Sequence, residues 1–264
     1  MVGQNKIRAR LFSQPLSNLP KTMLFLGEYG CGKHTLAKEL AEHFGLDLHD
    51  ITDSISSDLL ESIRFSSVPS MYVVSVDGIT EKQQNMLLKF AEEPCENAYV
   101  ILLCGNRNSV LDTVFNRCSS FEFEPYTADE IEEIVGHIEH REMLGVCQTP
   151  GQIKLADPNY DGLLSLCRAI VGRIGEASIG NALTISSKIN YKDEYDKYDF
   201  TVFMKVLIDE LAKSYASTGD ERTFRMYGVV QEQSRRLADG RLNREVFMNH
   251  LITSLWLAYR EDGR

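Results

Sequence analysis

Gly27-Glu28-Tyr29-Gly30-Cys31-Gly32-Lys33-His34-Thr35 stands between Met23 to Leu26, an apolar run with the character of a strand, and an amphipathic, helix-like run that begins at Thr35. The spacing is G-x-x-x-x-G-K, and phosphate is the ligand such a loop suits. Glycines let the backbone curl until successive N–H groups point at one anion, the helix behind offers its positive end, and Lys33 reaches the outer phosphates. Gly27, Gly30, Cys31, Gly32, Lys33, His34 and Thr35 are therefore the candidate nucleotide-binding residues, with ATP or ADP as the expected ligand. One position breaks the pattern. Where a Ser or Thr hydroxyl would hold magnesium stands His34, a poor ligand for a hard, oxygen-seeking cation. It reads as a partly exposed helix-start residue with no catalytic task. Magnesium is expected to bind weakly or not at all, and no residue is assigned as a metal ligand.

Outward from the loop, Leu36, Ala37, Leu40, Ala41 and Phe44 recur at helical spacing, and Gly45 follows as a stop. Upstream, Ile7, Leu11 and Leu16 mark one side of a short helix. Downstream, Leu46, Leu48 and Ile51 suggest a short strand, and Asp58 to Arg64 a helix. Met71-Tyr72-Val73-Val74-Ser75-Val76-Asp77 has the continuous β-branched content of a buried central strand. A phosphate-cleaving enzyme of this type needs an Asp at the end of that strand for magnesium and a Glu beside it to orient water. Only Asp77 is available there. Thr80 and Gln83 form a capping box opening a helix that runs to Pro94, Ala98 to Leu103 reads as a strand, and Ser120 to Phe123 as another. Strands alternating with helices predict an α/β domain, a parallel sheet covered on both faces, over residues 1–125.

The chain changes class near residue 126. Thr127-Ala128-Asp129-Glu130 is a second capping box, and every strong signal after it is helical. Ile131, Ile134, Val135 and Ile138 mark one helix; Leu163, Leu164, Cys167 and Ile170 mark another. Asn190 to Tyr198 is polar and poorly periodic, the best linker candidate. Beyond it Phe203, Val206, Leu207 and Leu211, then Val246, Phe247, Leu251, Leu255 and Trp256, form helical stripes. Residues 126–190 and 191–264 are thus expected to be two all-α parts.

Composition narrows the class. An apolar content of 43% with 25% charged residues is ordinary for a soluble globular protein, and no stretch approaches the ~20 apolar residues of a membrane span. The first residues lack the layout of a secretory signal, and six cysteines are scattered without a C-x-x-C pair, so a cytoplasmic chain with reduced thiols and no zinc cluster is expected. A net charge of −10 argues against holding nucleic acid unaided.

Thr80 to Pro94, with Asn85, Leu87-Leu88-Lys89 and Glu92-Glu93-Pro94, resembles the N-x-L-L-K-x-x-E-E-P motif of DNA-replication clamp loaders, and Asn116-Arg117-Cys118 resembles their S-R-C motif. With Val2-Gly3-Gln4 and the phosphate loop, the resemblance covers the AAA+ part almost continuously. The tail, Val230 to Trp256, is similar to the collar domain of the bacterial delta-prime and gamma/tau branches, with delta-prime-like subunits the nearest pattern.

The resemblance implies a three-part subunit: an AAA+ domain, a helical lid and a collar. Its expected partners are the other subunits of a hetero-oligomeric ring, a sliding clamp, and primer-template DNA within the assembly only. It also implies which residues have been lost. In the family register Val74 and Ser75 stand where the magnesium-holding Asp and water-orienting Glu belong, and Gly172 to Ala177 carries Glu176 in place of the sensor-two arginine, with Arg173 displaced. Asn106 is a candidate for the sensor-one contact. Arg117 survives as the counterpart of the arginine finger, which acts in trans on a neighbour's ATP. The implied role is a nucleotide-binding, hydrolysis-deficient subunit. The alternatives are an active DNA-dependent clamp-loader ATPase, with Asp77 or Glu81 replacing the lost carboxylate, and an unrelated P-loop nucleotide enzyme.

Overall fold

Five short runs, the central ones apolar, become the strands of one sheet in the computed structural model of the chain, which describes residues 2–93, 95–176, 178–189, 200–237 and 244–260. The strands are β1 (Thr22–Leu26), β2 (Asp47–Asp50), β3 (Ser70–Ser75), β4 (Ala98–Cys104) and β5 (Ser119–Glu122). They lie in the order β2-β3-β4-β1-β5, and every pairing is parallel, with Leu24 beside Leu102 and Phe25 beside Phe121. Every residue of β1 and β4 is buried. Parallel strands need crossovers, and the crossovers lay helices over both faces; hence these runs are apolar throughout rather than alternating.

The helices of this part are α1 (Asn5–Phe12), α2 (Lys33–Phe44), α3 (Ser57–Arg64), α4 (Glu81–Glu92), α5 (Asp112–Phe115) and α6 (Ala128–Val135). On α2 the buried residues are Leu36, Ala37, Leu40 and Ala41, the spacing read in the sequence. Leu87 and Phe90 of α4 join Leu24, Val74, Val100 and Leu102 in one core cluster. Phe25 makes edge and tilted contacts with Phe121 and Phe123, ring centroids 5.8 and 5.5 Å away. Both capping boxes form: Thr80 and Gln83 bond each other's backbone N–H, as do Thr127 and Glu130.

Two expectations here are corrected. The central strand stops at Ser75 rather than Asp77, because Val76–Gly78 winds into a single 3-10 turn. The helix marked by Ile131 stops at Val135, where Gly136 takes a φ of 81°. Ile138 is buried but lies outside it.

By its contacts the chain divides into two compact units, residues 1–134 and 135–264. Among its described residues the second unit contains helices and no strand: α7 (Pro150–Ala156), α8 (Tyr160–Arg173), α9 (Ile179–Ile189), α10 (Phe200–Thr218), α11 (Glu221–Leu237) and α12 (Arg244–Arg260). α10 packs on α8 and α11, and α12 packs on α9 and α11. Helices from both sides of residue 190 therefore share this unit. The expected linker, Asn190 to Tyr198, lies outside the described residues. On α12 the buried face is Phe247, Met248, Leu251, Ile252 and Leu255, whereas Val246 is 64% exposed and Trp256 only half-buried. The stripe is thus rotated from the expected one, since contact with α9 and α11 selects which residues face inward.

Candidate nucleotide site

In parallel α/β sheets the ligand crevice lies beyond the carboxyl ends of the strands, where successive connections leave in opposite directions. Here that place is the end of β1, whose chain runs off to the edge strand β2 while β4 connects across it to β5. The loop Gly27 to Gly32 fills it. Its backbone is specific to glycine: a Cβ at Gly27 would lie 2.7 Å from Cys31 Sγ and 2.8 Å from Phe123 Cβ, and Gly32 has a φ of 91°. Gly32 then serves as the N-cap residue of α2, so free N–H groups of the first turn face the crevice.

Lys33 is folded onto this loop. Its ammonium donates to the carbonyls of Gly27 (2.5 Å) and Glu28 (3.0 Å) and stands 3.8 Å from Cys31 Sγ. Those are contacts an anion would replace. Cys31 is buried under the loop; burial raises its thiol pKa, against the lowering effect of Lys33. The Cys31 carbonyl accepts the phenol of Tyr126 at 2.9 Å, a tie from the loop to the segment leaving β5. That segment is fixed in turn by Gln4, whose amide donates to the Glu124 carbonyl (2.7 Å) and accepts its N–H (3.0 Å). The Tyr126 ring lies over Gly3, where a Cβ would come within 2.6 Å. Val2-Gly3-Gln4 thus braces the phosphate loop through Tyr126, a residue the sequence reading did not single out.

The polar groups around the loop are engaged with other parts of the chain. His34 points its Nε2 at Asp50 Oδ2, 3.8 Å away. Val74 is wholly buried, and the Ser75 N–H is taken up by Thr52 Oγ1 at 2.8 Å. Asp77 accepts the Gly105 N–H at 2.8 Å, fastening the turn behind β3 to the end of β4. It also lies 3.9 Å from the Cys104 thiol, whose pKa is pushed up to about 12 by burial and, secondarily, by that carboxylate. Asn106 caps the turn after β4, its side-chain oxygen accepting the Asn108 N–H at 2.9 Å. Among the described residues no group of three or more His, Cys, Asp or Glu could hold a metal ion.

Arg117 sits apart from the loop, in the turn behind α5. Its Nε pairs with Glu92 Oε1 at 2.9 Å and its Nη1 donates to the Thr113 carbonyl at 2.8 Å. The segment leading into α5 is held from beneath by Gln84, a buried amide on α4 that donates to the Ser109 carbonyl (2.8 Å) and accepts the Leu111 N–H (3.0 Å). Arg107 braces it from outside, its guanidinium 3.8 Å over the Phe115 ring. Neither residue was legible as a positioning group. A polar residue on the inner face of α4 was the only available signal. In the second unit, Arg173 ends α8 and Glu176 donates its N–H to the Arg173 carbonyl.

Comparison with known proteins agrees with this architecture. The family described as DNA polymerase III, delta subunit, matches residues 49–127, which take in β3, α4 and Arg117 but not the phosphate loop. The replication factor C small subunit of Haloarcula marismortui is 27% identical over 182 residues, covering 62% of this chain and 53% of that protein. DNA polymerase III subunit gamma of Buchnera aphidicola is 27% identical over 180 residues, 54% of this chain and 48% of its own length. DNA polymerase III subunit delta' of Bacillus subtilis is 34% identical over 64 residues, 24% of this chain and 20% of that one. The chain spans about half the length of the first two of these. By these matches the chain resembles the clamp-loader AAA+ family.

Proposed function

We propose that the chain is a delta-prime-like subunit of a DNA-replication clamp loader that binds ADP or ATP, does not hydrolyse it effectively, and lends Arg117 to the nucleotide of a neighbouring subunit. The observation that carries this reading is the end of β3. Val74, which the family register sets at a catalytic-carboxylate position, is buried, Ser75, set at the other, is bonded through its backbone, and Asp77 is engaged with the Gly105 N–H. The phosphate cradle and Lys33 are retained while the groups that would activate water are not, which supports binding without turnover. In this reading the helical unit comprises a lid over 126–190 and a collar over 191–264, the collar joining this subunit to the others of a ring that opens a sliding clamp at primer-template DNA. A net charge of −10 agrees with DNA contact made only in that company. ATP turnover by the purified chain, alone and mixed with partner subunits, tests the proposal. Negligible turnover alone with full activity in the mixture is expected; several turnovers per second from the chain alone would make it an active ATPase instead.

A further inference from the structure

Where a magnesium ion would be expected, this chain has a run of hydrogen bonds joining three elements. The Ser75 N–H at the end of β3 donates to Thr52 Oγ1 at 2.8 Å. The Thr52 hydroxyl donates to Asp50 Oδ1 at 2.8 Å, and the Thr52 N–H donates to the same oxygen at 3.0 Å. The second Asp50 oxygen, Oδ2, is left facing His34 Nε2 at 3.8 Å. His34 is the second residue of α2, next to Lys33, and its side chain is 56% exposed, so it is open to a ligand in the loop.

We propose that protonated His34, held by Asp50, takes the electrostatic place of magnesium, so that the site binds metal-free nucleoside di- or triphosphate and binds it more tightly as the pH falls. This inference rests on the nucleotide-binding reading above. A polyphosphate brings several negative charges to a loop whose own positive groups are Lys33 and the start of α2, the latter equivalent to roughly half a charge. With neutral imidazole, Asp50 faces the same anion uncompensated. Protonation of His34 cancels that repulsion and adds a donor. Both the carboxylate and the phosphate favour the charged ring. Thr52 matters because it holds Oδ1 with two donors, leaving Asp50 only one oxygen to present. The other charged or titratable groups on the loop and neighbouring elements are Glu28 and Tyr29 in the loop, Lys33, Lys38, Glu39, Glu42 and His43 on α2, Asp47 and His49 on β2, Asp53 in the turn after it and Asp77 behind β3.

The test is equilibrium binding of ADP to the full chain in the presence of EDTA at several pH values between roughly 6 and 8, for wild type, His34→Gln and Asp50→Asn. ADP has its own titration, and the His34→Gln variant carries that contribution alone. The wild type should gain roughly tenfold in affinity toward the acid end beyond the gain of His34→Gln, the change that a one-unit rise in the histidine pKa on binding brings. The His34 ring, followed by NMR, should titrate at higher pH with ADP bound than without. Asp50→Asn should bind ADP more tightly than wild type at pH 8 and show a flatter pH profile, a gain that a merely structural aspartate would not give. Equal pH slopes in wild type and His34→Gln, or affinity that requires magnesium, would overturn the inference and leave the nucleotide reading standing. Absence of ADP binding at every pH, with or without magnesium, would overturn both.

Discussion

Arg117 and Glu92 hold each other through a 2.9 Å contact between Nε and Oε1, which ties the turn behind α5 to the last turn of α4. Both side chains are roughly half exposed, 41% and 49%, so water competes for each partner. Pairs of this kind contribute ~0–1 kcal/mol. Little is therefore lost if the guanidinium exchanges Glu92 for an anion on another molecule. Arg117→Ala is expected to lower the stability of the isolated chain by less than about 1 kcal/mol, measured by urea unfolding. A much larger loss would mean that Arg117 serves the fold.

Lys33 bonds to carbonyls of its own loop, at Gly27 and Glu28. Lys33→Ala should weaken ADP binding by at least tenfold, about 1.4 kcal/mol, as measured by calorimetry. Unchanged affinity would remove the loop from the binding site.

Gly175, just beyond α8, lies flat against a ring of α12. A Cβ added there would be 2.0 Å from ring atoms of Tyr259. Gly175→Ala should cost about 1–3 kcal/mol through overpacking, read from thermal or urea unfolding of the helical unit. Combined with Tyr259→Ala, it should cost less than the sum of the two single changes, because the ring it strikes is gone. Simple additivity would show that the two positions do not meet.

His140 sits between two carboxylates, with Nδ1 3.0 Å from Asp157 and Nε2 3.5 Å from Asp161. Burial lowers its pKa, but the hydrogen bond to Asp157 and the charge of Asp161 outweigh that and raise it above the ordinary histidine value. A group raised on folding gives its full stabilisation below its unfolded pKa, ~6.5, and loses it as the pH climbs through the folded value. The helical unit should therefore lose stability from pH 6 toward pH 8, and His140→Gln should flatten that slope. Equal slopes in both proteins, followed by urea midpoints, would show that His140 does not set it.

What could be read from the sequence was what is local in the chain. The capping boxes at Thr80 and Thr127 form as their spacing predicts because cap and partner are three residues apart. The strand, glycine-rich turn and helix around Lys33 were legible for the same reason, the glycines and Lys33 lying close together in the chain. The end of β3 was misjudged because Val76 has a strand former's side chain, while the turn it joins is fastened through Asp77 to Gly105, 28 residues away. The path from His34 through Asp50 and Thr52 to Ser75 was equally hidden, since Thr52 and Ser75 are 23 residues apart and meet only because β2 lies beside β3. On α12 the helical period was clear but its phase was not, and Met248 and Ile252 are buried where Val246 is exposed.

The central claim is that this subunit acts on a neighbour's nucleotide through Arg117, and ATP hydrolysis by the assembled complex carrying Arg117→Ala tests it most directly. An arginine finger meets charge that develops during phosphoryl transfer, so its loss should depress the rate at the site it completes by roughly 10³-fold, with clamp loading falling as well. Arg117→Lys should not restore the rate, because an ammonium lacks the planar fork that spans two phosphate oxygens. The chain's own ADP affinity should stay at the wild-type value. Hydrolysis and clamp loading at the wild-type rate in the Arg117→Ala complex would contradict the account and leave Arg117 with only its contacts inside the chain, to Glu92 and the Thr113 carbonyl.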